Sequence, residues 1–560
     1  MQLAMLGAVM LSATAETPTL DYLFPAGGKP GTKIQVSAGG KLDPWPVQVW
    51  TDHPGLSFKA EEAKGKFTVE LAANAPPGPH LVRVYNQDGA SNVRCWIVGQ
   101  LEEQLEKEPN NEPAKAQRVE TLPATINGRL DKADDTDSFA LNLKAGQWLV
   151  AAVDAYSLDS PMDPALQLVD EHGTKLALNH DGRSLDSLLA WRIEKAGTYI
   201  LQLVAWAYPP KADVRLTGGE SAVYRLTVTA GPYARYAIPS GIQRGHKAAL
   251  RLFGWNLGAT GEAIIHQIDT SHLNPRQNDL FVTAPGLANA LCISVGQAPE
   301  EIEIEPNGSP DLAQPLPVPC AVNGQLRTNG DEDRYQVTAK KDQGFKVRVQ
   351  SASLGSPLDA VIRIEDSKGT QLARADDSGR AEDPELEWTA PADGNYVLGI
   401  VDLLRRGGSD YVYRIEILHS VPDFKASIDS QTVKLEPGKS AELKANVARL
   451  NGFQDHLIVV ADGLPEGVTS TSVSVPGKGG DVTLTLSASN EAKPANQAVR
   501  ILAIVPNLDK PEVRVALVKL KGQNALPGAL QINQTDHIWL TVLPKPPPPA
   551  EAKDTKPPAQ

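Results

Sequence analysis

Part of this chain is written twice. "NGRLDKADDTDSF" (Asn127–Phe139) aligns without a gap to "NGQLRTNGDEDRY" (Asn323–Tyr335), 196 positions later. "SLDSPMD" (Ser157–Asp163) pairs with "SLGSPLD" (Ser353–Asp359), "AGTY" (Ala196–Tyr199) with "DGNY" (Asp393–Tyr396), and "YRLTV" (Tyr224–Val228) with "YRIEI" (Tyr413–Ile417). Self-similarity on this scale means that each period is a packing unit of its own. One unit spans 101–232 and its copy 300–420. The preceding stretches also match: "LFPAGGKPGTKIQV" (Leu23–Val36) is echoed by "AIPSGIQRGHKAAL" (Ala237–Leu250), and both segments end in a cysteine strand, "CWIVGQ" and "CISVGQ". The repeated object is therefore a pair, a small leading module followed by a larger one. Residues 421–543 match neither, and 544–560, "PKPPPPAEAKDTKPPAQ" from Pro544, is too polar and proline-rich to bury a core.

Within the units the local period is two. "AVYRLTVTA" sets Tyr224, Leu226 and Val228 against Arg225, Thr227 and Thr229; "FKVRVQ" and "DVTLTLS" alternate in the same way. That is the signature of strands with one buried face. With 46 glycines and 44 prolines among 560 residues, turns separate these short runs. The pattern predicts an all-β chain of tandem β-sandwich domains, immunoglobulin-like and jelly-roll-like. Helix is expected only as a turn or two over Leu101–Glu106.

A net charge of −13 argues against nucleic acid as a partner and leaves room for cations. Met1–Ala15, "MQLAMLGAVMLSATA", is a short apolar run with small residues before a cleavage point, and reads as a signal peptide that leaves Glu16 first. It is too short to span a bilayer, and no later run reaches about 18 apolar residues, so no membrane span is expected. Secretion, to the periplasm, the cell surface or the medium, follows. Cys95 and Cys292 stand at matching places and read as buried apolar residues, and the spacing of the three cysteines, Cys320 included, suggests no zinc set.

The most unusual text is acidic. "EKEPNNEPAKA" (Glu106–Ala116) returns as "EIEPNGSPDLA" (Glu303–Ala313). It suits neither a helix nor a buried strand. A solvated linker is one reading. The other is a set of oxygen ligands, since an extended Glu-x-Glu-x-Asn run points its oxygens to one side and calcium takes six to eight of them.

The units at 101–232 and 300–420 resemble the bacterial pre-peptidase C-terminal domain in their "EPNN" or "EPNG" opening, their G-x-L followed by D-x-D-x-aromatic, and their closing G-T/N-Y strand. The leading modules, 16–100 and a shorter 233–299, resemble IPT/TIG immunoglobulin-like domains through "FPAGGKPGTKIQVS". Residues 421–543 resemble an NPCBM-associated immunoglobulin-like domain through "LEPGKSAELKANV", "NGF" and "DGLPEGV". The first resemblance implies β-sandwiches that bind Ca2+. Carried over by position, it implies ligands Glu106, Glu108, Asn110 and Asn111 with Asp134, Asp135 and Asp137. In the copy it implies Glu303, Glu305 and Asn307 with Asp331 and Asp333, while Gly308 and Gly330 stand where Asn111 and Asp134 did. Two lost ligands predict a weaker second site. Such a metal would pin each entry linker to its sandwich.

No H-E-x-x-H, G-x-S-x-G or phosphate-loop pattern occurs, and no histidine falls into a catalytic arrangement. The expectation is a non-enzyme: an exported binding or surface-assembly protein that meets an extracellular protein or polysaccharide. The alternative is an accessory or targeting component of a secreted protease or other hydrolase. "VAWAYPP" (Val204–Pro210) is the best aromatic candidate for a sugar or peptide contact, set against an ordinary strand end.

Overall fold

The computed structural model describes residues 16–545 apart from 210–214, 259–263, 274–276, 378–382, 507–510, 521 and 523–529. The apolar leader and residues 546–560 of the tail lie outside the described residues. Strands dominate, and among the described residues helix is confined to four three-residue 3-10 turns. None of it is long and apolar enough to cross a membrane.

Residues 101–232 form two five-stranded sheets. One runs, in spatial order, Glu103–Leu105, Ala124–Arg129, Val223–Thr229, Trp148–Asp154 and Leu188–Arg192. The other runs Gln117–Val119, Asp137–Leu143, Gly197–Ala207, Met162–Val169 and Lys175–Asn179. Residues 300–420 repeat that order strand for strand, from Glu300–Ile302 and Gln314–Pro315 at the two edges. In both, the apolar members of the alternating runs meet between the sheets: Tyr224, Leu226 and Val228 are fully buried, as are Tyr413 and Ile415. Residues before 101 form a four-stranded and a four-stranded-plus-hairpin sheet around Trp96 and Phe67, while 233–299 form a smaller pair of three-stranded sheets. Residues from 423 to 542 build two six-stranded sheets over one core that includes Phe424, Val447 and Leu484.

Three local expectations are corrected. Leu101–Glu106 contains no helix: Glu103–Leu105 is an edge strand paired parallel to Thr125–Asn127, and Glu106 N–H continues the ladder by donating to the Asn127 carbonyl at 2.9 Å. Cys292 is exposed, because Leu291 and Ile293 take the core face and alternation turns Cys292 outward. Cys95, its counterpart, is half-buried against Leu158 of the next sandwich. Arg225 does not face solvent although it alternates with the core residues. It is 3 % exposed and forms an ion pair with Glu103.

That pair is the joint between modules, and it recurs. Arg225 lies against Gly27 and Gly99 of the leading module: a Cβ on Gly99 would stand 2.7 Å from its Nη2. In the copy, Arg414 pairs with Glu300 at 2.7 Å, and a Cβ on Gly296 would stand 2.8 Å from its Nη2. A buried ion pair needs close partners on all sides to offset desolvation, and the glycines admit the leading module's backbone to that distance. The chain also returns on itself. Trp539 of the last module packs on Tyr85 and Trp50 of the first, and Arg83, fully buried, sits over the Trp50 and Trp539 rings at 5.9 and 5.2 Å.

Candidate metal centres

Each acidic stretch leaves its edge strand and crosses the end of its own sandwich. A glutamine braces the turn. Gln117 accepts from Lys107 N–H at 2.7 Å and donates to the Leu105 carbonyl at 3.1 Å, and Gln314 does the same for Ile304 and Ile302. With the backbone held this way, alternation carries Glu106, Glu108 and Asn110 to one side, over the start of strand Asp137–Leu143. Ligand-capable oxygens of Glu106, Glu108 and Asp137 lie within 4.8 Å of one another, and so do those of Glu303, Glu305 and Asp333. The Glu108–Pro109 and Glu305–Pro306 peptides are both cis.

The amides complete the sets. Asn110 is 1 % exposed; its N–H donates to Glu108 Oε2 at 2.8 Å and its Nδ2 to Glu106 Oε1 at 3.2 Å, while its Oδ1 has no partner. Asp137 is fully buried; Tyr224 Oη donates to its Oδ2, and its Oδ1 is likewise without a partner. The copy has the same arrangement. Asn307 and Asp333 are fully buried with bare Oδ1 atoms, and Tyr413 Oη donates to Asp333 Oδ2. A buried oxygen without a donor costs about 1–3 kcal/mol, and each site holds two. Burial, then the neighbouring carboxylates, pushes Asp137 up to about 9 and Glu106 up to about 7. Burial and Glu303 push Asp333 up to about 9, and burial raises Glu303 as well. These are sites that must hold protons or a cation. The donor set fits a hard divalent ion: three carboxylates and an amide oxygen.

Four sequence-derived candidates are not brought into the clusters. Asp135 is buried, but its oxygens accept from Asp131 N–H at 2.6 Å, from Thr136 N–H at 3.2 Å and from Asn111 Nδ2. Asn111 is thereby committed to Asp135. Asp331 is the matching loop closer, accepting from Arg327 N–H at 2.6 Å and Glu332 N–H at 3.0 Å. Asp134 is exposed at φ 63° in a left-handed turn, and its counterpart Gly330 has φ 84°. That position selects a residue tolerant of positive φ, not a ligand. Gly308 and Gly330 therefore remove no oxygen from the second cluster, and the expected loss of two ligands is corrected. The linker is also pinned without a metal, by its strand pairing and by the Arg–Glu joint.

Sequence reasoning missed Gln117, Gln314, Tyr224 and Tyr413. Each pair stands at matching repeat positions, and that was the available signal. A further group, Asp163, His180 and Asp181, lies within ion-pair distance, His180 Nε2 at 3.2 Å from Asp163 Oδ2 and Nδ1 at 3.3 Å from Asp181 Oδ2, but His180 Nε2 and Asp163 Oδ1 make no hydrogen bond. Trp206 stacks edge-on against His180 at 5.0 Å, and Tyr208 against Tyr156 at 4.8 Å.

No protein-family model matches the chain, and no curated protein does. Among solved structures, the periplasmic lysozyme inhibitor PliG of Aeromonas hydrophila aligns at 14% identity over 21% of this chain and 98% of its own, with a TM-score of 0.16. Escherichia coli alpha-2-macroglobulin aligns at 11% identity over 95% of this chain and 53% of its own, with a TM-score of 0.13. The M60 catalytic domain of Clostridium perfringens ZmpB with its CBM51 domains aligns at 8% identity over 74% and 56%, with a TM-score of 0.14. Superpositions this poor carry no argument about function.

Proposed function

We propose that the protein is an exported, non-catalytic, multi-domain binding or surface-assembly protein, in which the pre-peptidase C-terminal-like modules 101–232 and 300–420 each hold a calcium ion. The observation that carries this is the twice-built cluster with two bare buried oxygens beside two further carboxylates. Glu106, Glu108, Asn110 and Asp137 hold the first ion, and Glu303, Glu305, Asn307 and Asp333 the second. Extracellular modules of this kind bind calcium with dissociation constants of about 10⁻⁴–10⁻³ M, so the sites fill where calcium is millimolar and stay empty in the cytosol. That supports an extracellular or periplasmic place of work and an extracellular protein or polysaccharide as partner. Rigid Arg–Glu joints and a closed first-to-last contact suit a scaffold that presents loops in fixed positions.

The test is scanning calorimetry of the full chain in millimolar calcium and in chelator, together with fractionation of the source cells. Calcium should raise the melting of the sandwich transitions, and the protein should be found outside the cytosol beginning at Glu16. Identical melting in both buffers overturns the calcium assignment, and cytosolic protein with an intact leader overturns export.

A further inference from the structure

The two clusters share their ligands but not their surroundings. Position 131 carries aspartate in the first copy, and the matching position 327 carries arginine. Asp131 is itself paired with Arg129 at 2.7 Å, and its negative charge bears on Glu106. Among the described residues no lysine, arginine or histidine side chain forms an ion pair with Glu106, Glu108 or Asp137. In the copy, Gln325 replaces Arg129, and Arg327 reaches over the cluster, with its Nε 3.7 Å from Glu305 Oε1 and its Nη2 4.0 Å from Glu303 Oε2. Resting on the cation reading above, we infer that the sites have diverged into one that depends on a divalent ion and one whose charge is partly met from within, with Arg327 the residue that sets the difference.

The chemistry is competition. A divalent ion entering the second cluster must share Glu303 and Glu305 with a guanidinium or displace it. A guanidinium this close offsets part of the cluster's negative charge and so weakens its pull on a divalent ion. Arg327 is 52% exposed, so solvent screening holds the effect to that of an exposed ion pair, about threefold. The first site therefore binds calcium about threefold more tightly. The second fills only at higher calcium. The chain then carries two thresholds for one ion, one per module.

The test uses the full chain. Asp137→Asn removes the first site and Asp333→Asn the second; titration calorimetry with calcium chloride then reads the surviving site in each. The expected result is a dissociation constant about three times larger in Asp137→Asn than in Asp333→Asn. Adding Arg327→Gln to Asp137→Asn should tighten the second site about threefold, and adding Asp131→Arg to Asp333→Asn should weaken the first. Both 131 and 327 are solvent-facing, so these changes leave the cores untouched, which circular dichroism melts will verify. Equal affinities that Arg327→Gln does not alter overturn the divergence while leaving two cation sites. No calcium heat in any folded variant overturns the cation reading itself.

Discussion

Replacing Asp137 with asparagine should stabilise the calcium-free first sandwich and abolish that sandwich's response to calcium, leaving the second cluster's response in place. Asp137 is fully buried, and burial with Glu106 nearby pushes its carboxyl up to about 9. The unfolded chain ionises it near 3.8. The folded value is the raised one, so the native state holds the extra proton. Stability is fully present below about pH 4 and is lost as pH climbs toward 9. At about pH 7.5 the loss is at most roughly 5 kcal/mol, from 1.36 kcal/mol per pH unit. Asparagine avoids it and keeps an acceptor for Tyr224. After local relaxation, a gain of about 2–3 kcal/mol is expected, or roughly 10 °C in the melting of a module this size. In calcium at ten times the first site's dissociation constant, the 101–232 transition of wild type gains about 1.4 kcal/mol, and the same transition in Asp137→Asn gains nothing. The assay is scanning calorimetry of both proteins in chelator and in calcium at about pH 5 and pH 7.5. The chelator gain should shrink to less than half at pH 5. A variant that is less stable than wild type in chelator at both pH values refutes the buried-charge reasoning.

Calcium should stabilise wild type more at about pH 8 than at pH 5, because Glu106 and Asp137 must shed protons to bind it; thermal melts across that range check this, and a larger effect at pH 5 contradicts it. Arg225→Met strands Glu103 and should cost about 3–5 kcal/mol, and Arg225→Met with Glu103→Leu should recover most of it; a double-mutant cycle in denaturant reads the coupling, and additive costs would refute the joint. Gly27→Ala would drive a Cβ into the Arg225 guanidinium of the neighbouring sandwich, so small-angle scattering should show a more open first pair of modules, and an unchanged profile would contradict the joint. Trp539→Ala removes the ring beside Arg83 and Tyr85 and should cost about 3–5 kcal/mol, with faster hydrogen exchange in Gly78–Asn86; unchanged exchange there would contradict the first-to-last contact.

The all-β architecture was legible because alternation and repetition are local. Tyr224, Leu226 and Val228 announce a buried face by their spacing alone. What alternation cannot say is whether the opposite face meets water or another module, and so Arg225 and Cys292 were both misplaced. The site was half legible. That Glu106, Glu108, Asn110 and Asp137 come together was foreseeable because an extended acidic run and a D-x-D strand start are visible in the sequence. Asp135, Asp331 and Asn111 looked equivalent to them, but loop-closing aspartates spend their oxygens on backbone N–H groups, a distinction made only in three dimensions. Glycine at 330 looked like a lost ligand when it marked a left-handed turn. Arg327 was visible opposite Asp131 in the alignment, yet its meaning depended on knowing that it reaches Glu305.

The most direct measurement is diffraction from crystals grown in millimolar calcium, with the anomalous difference map read at the two clusters. A peak should lie about 2.3–2.6 Å from the oxygens of Glu106, Glu108, Asn110 and Asp137, with a second at Glu303, Glu305, Asn307 and Asp333. Clear side-chain density around Asp137 with no peak at its bare Oδ1 would contradict the calcium centre.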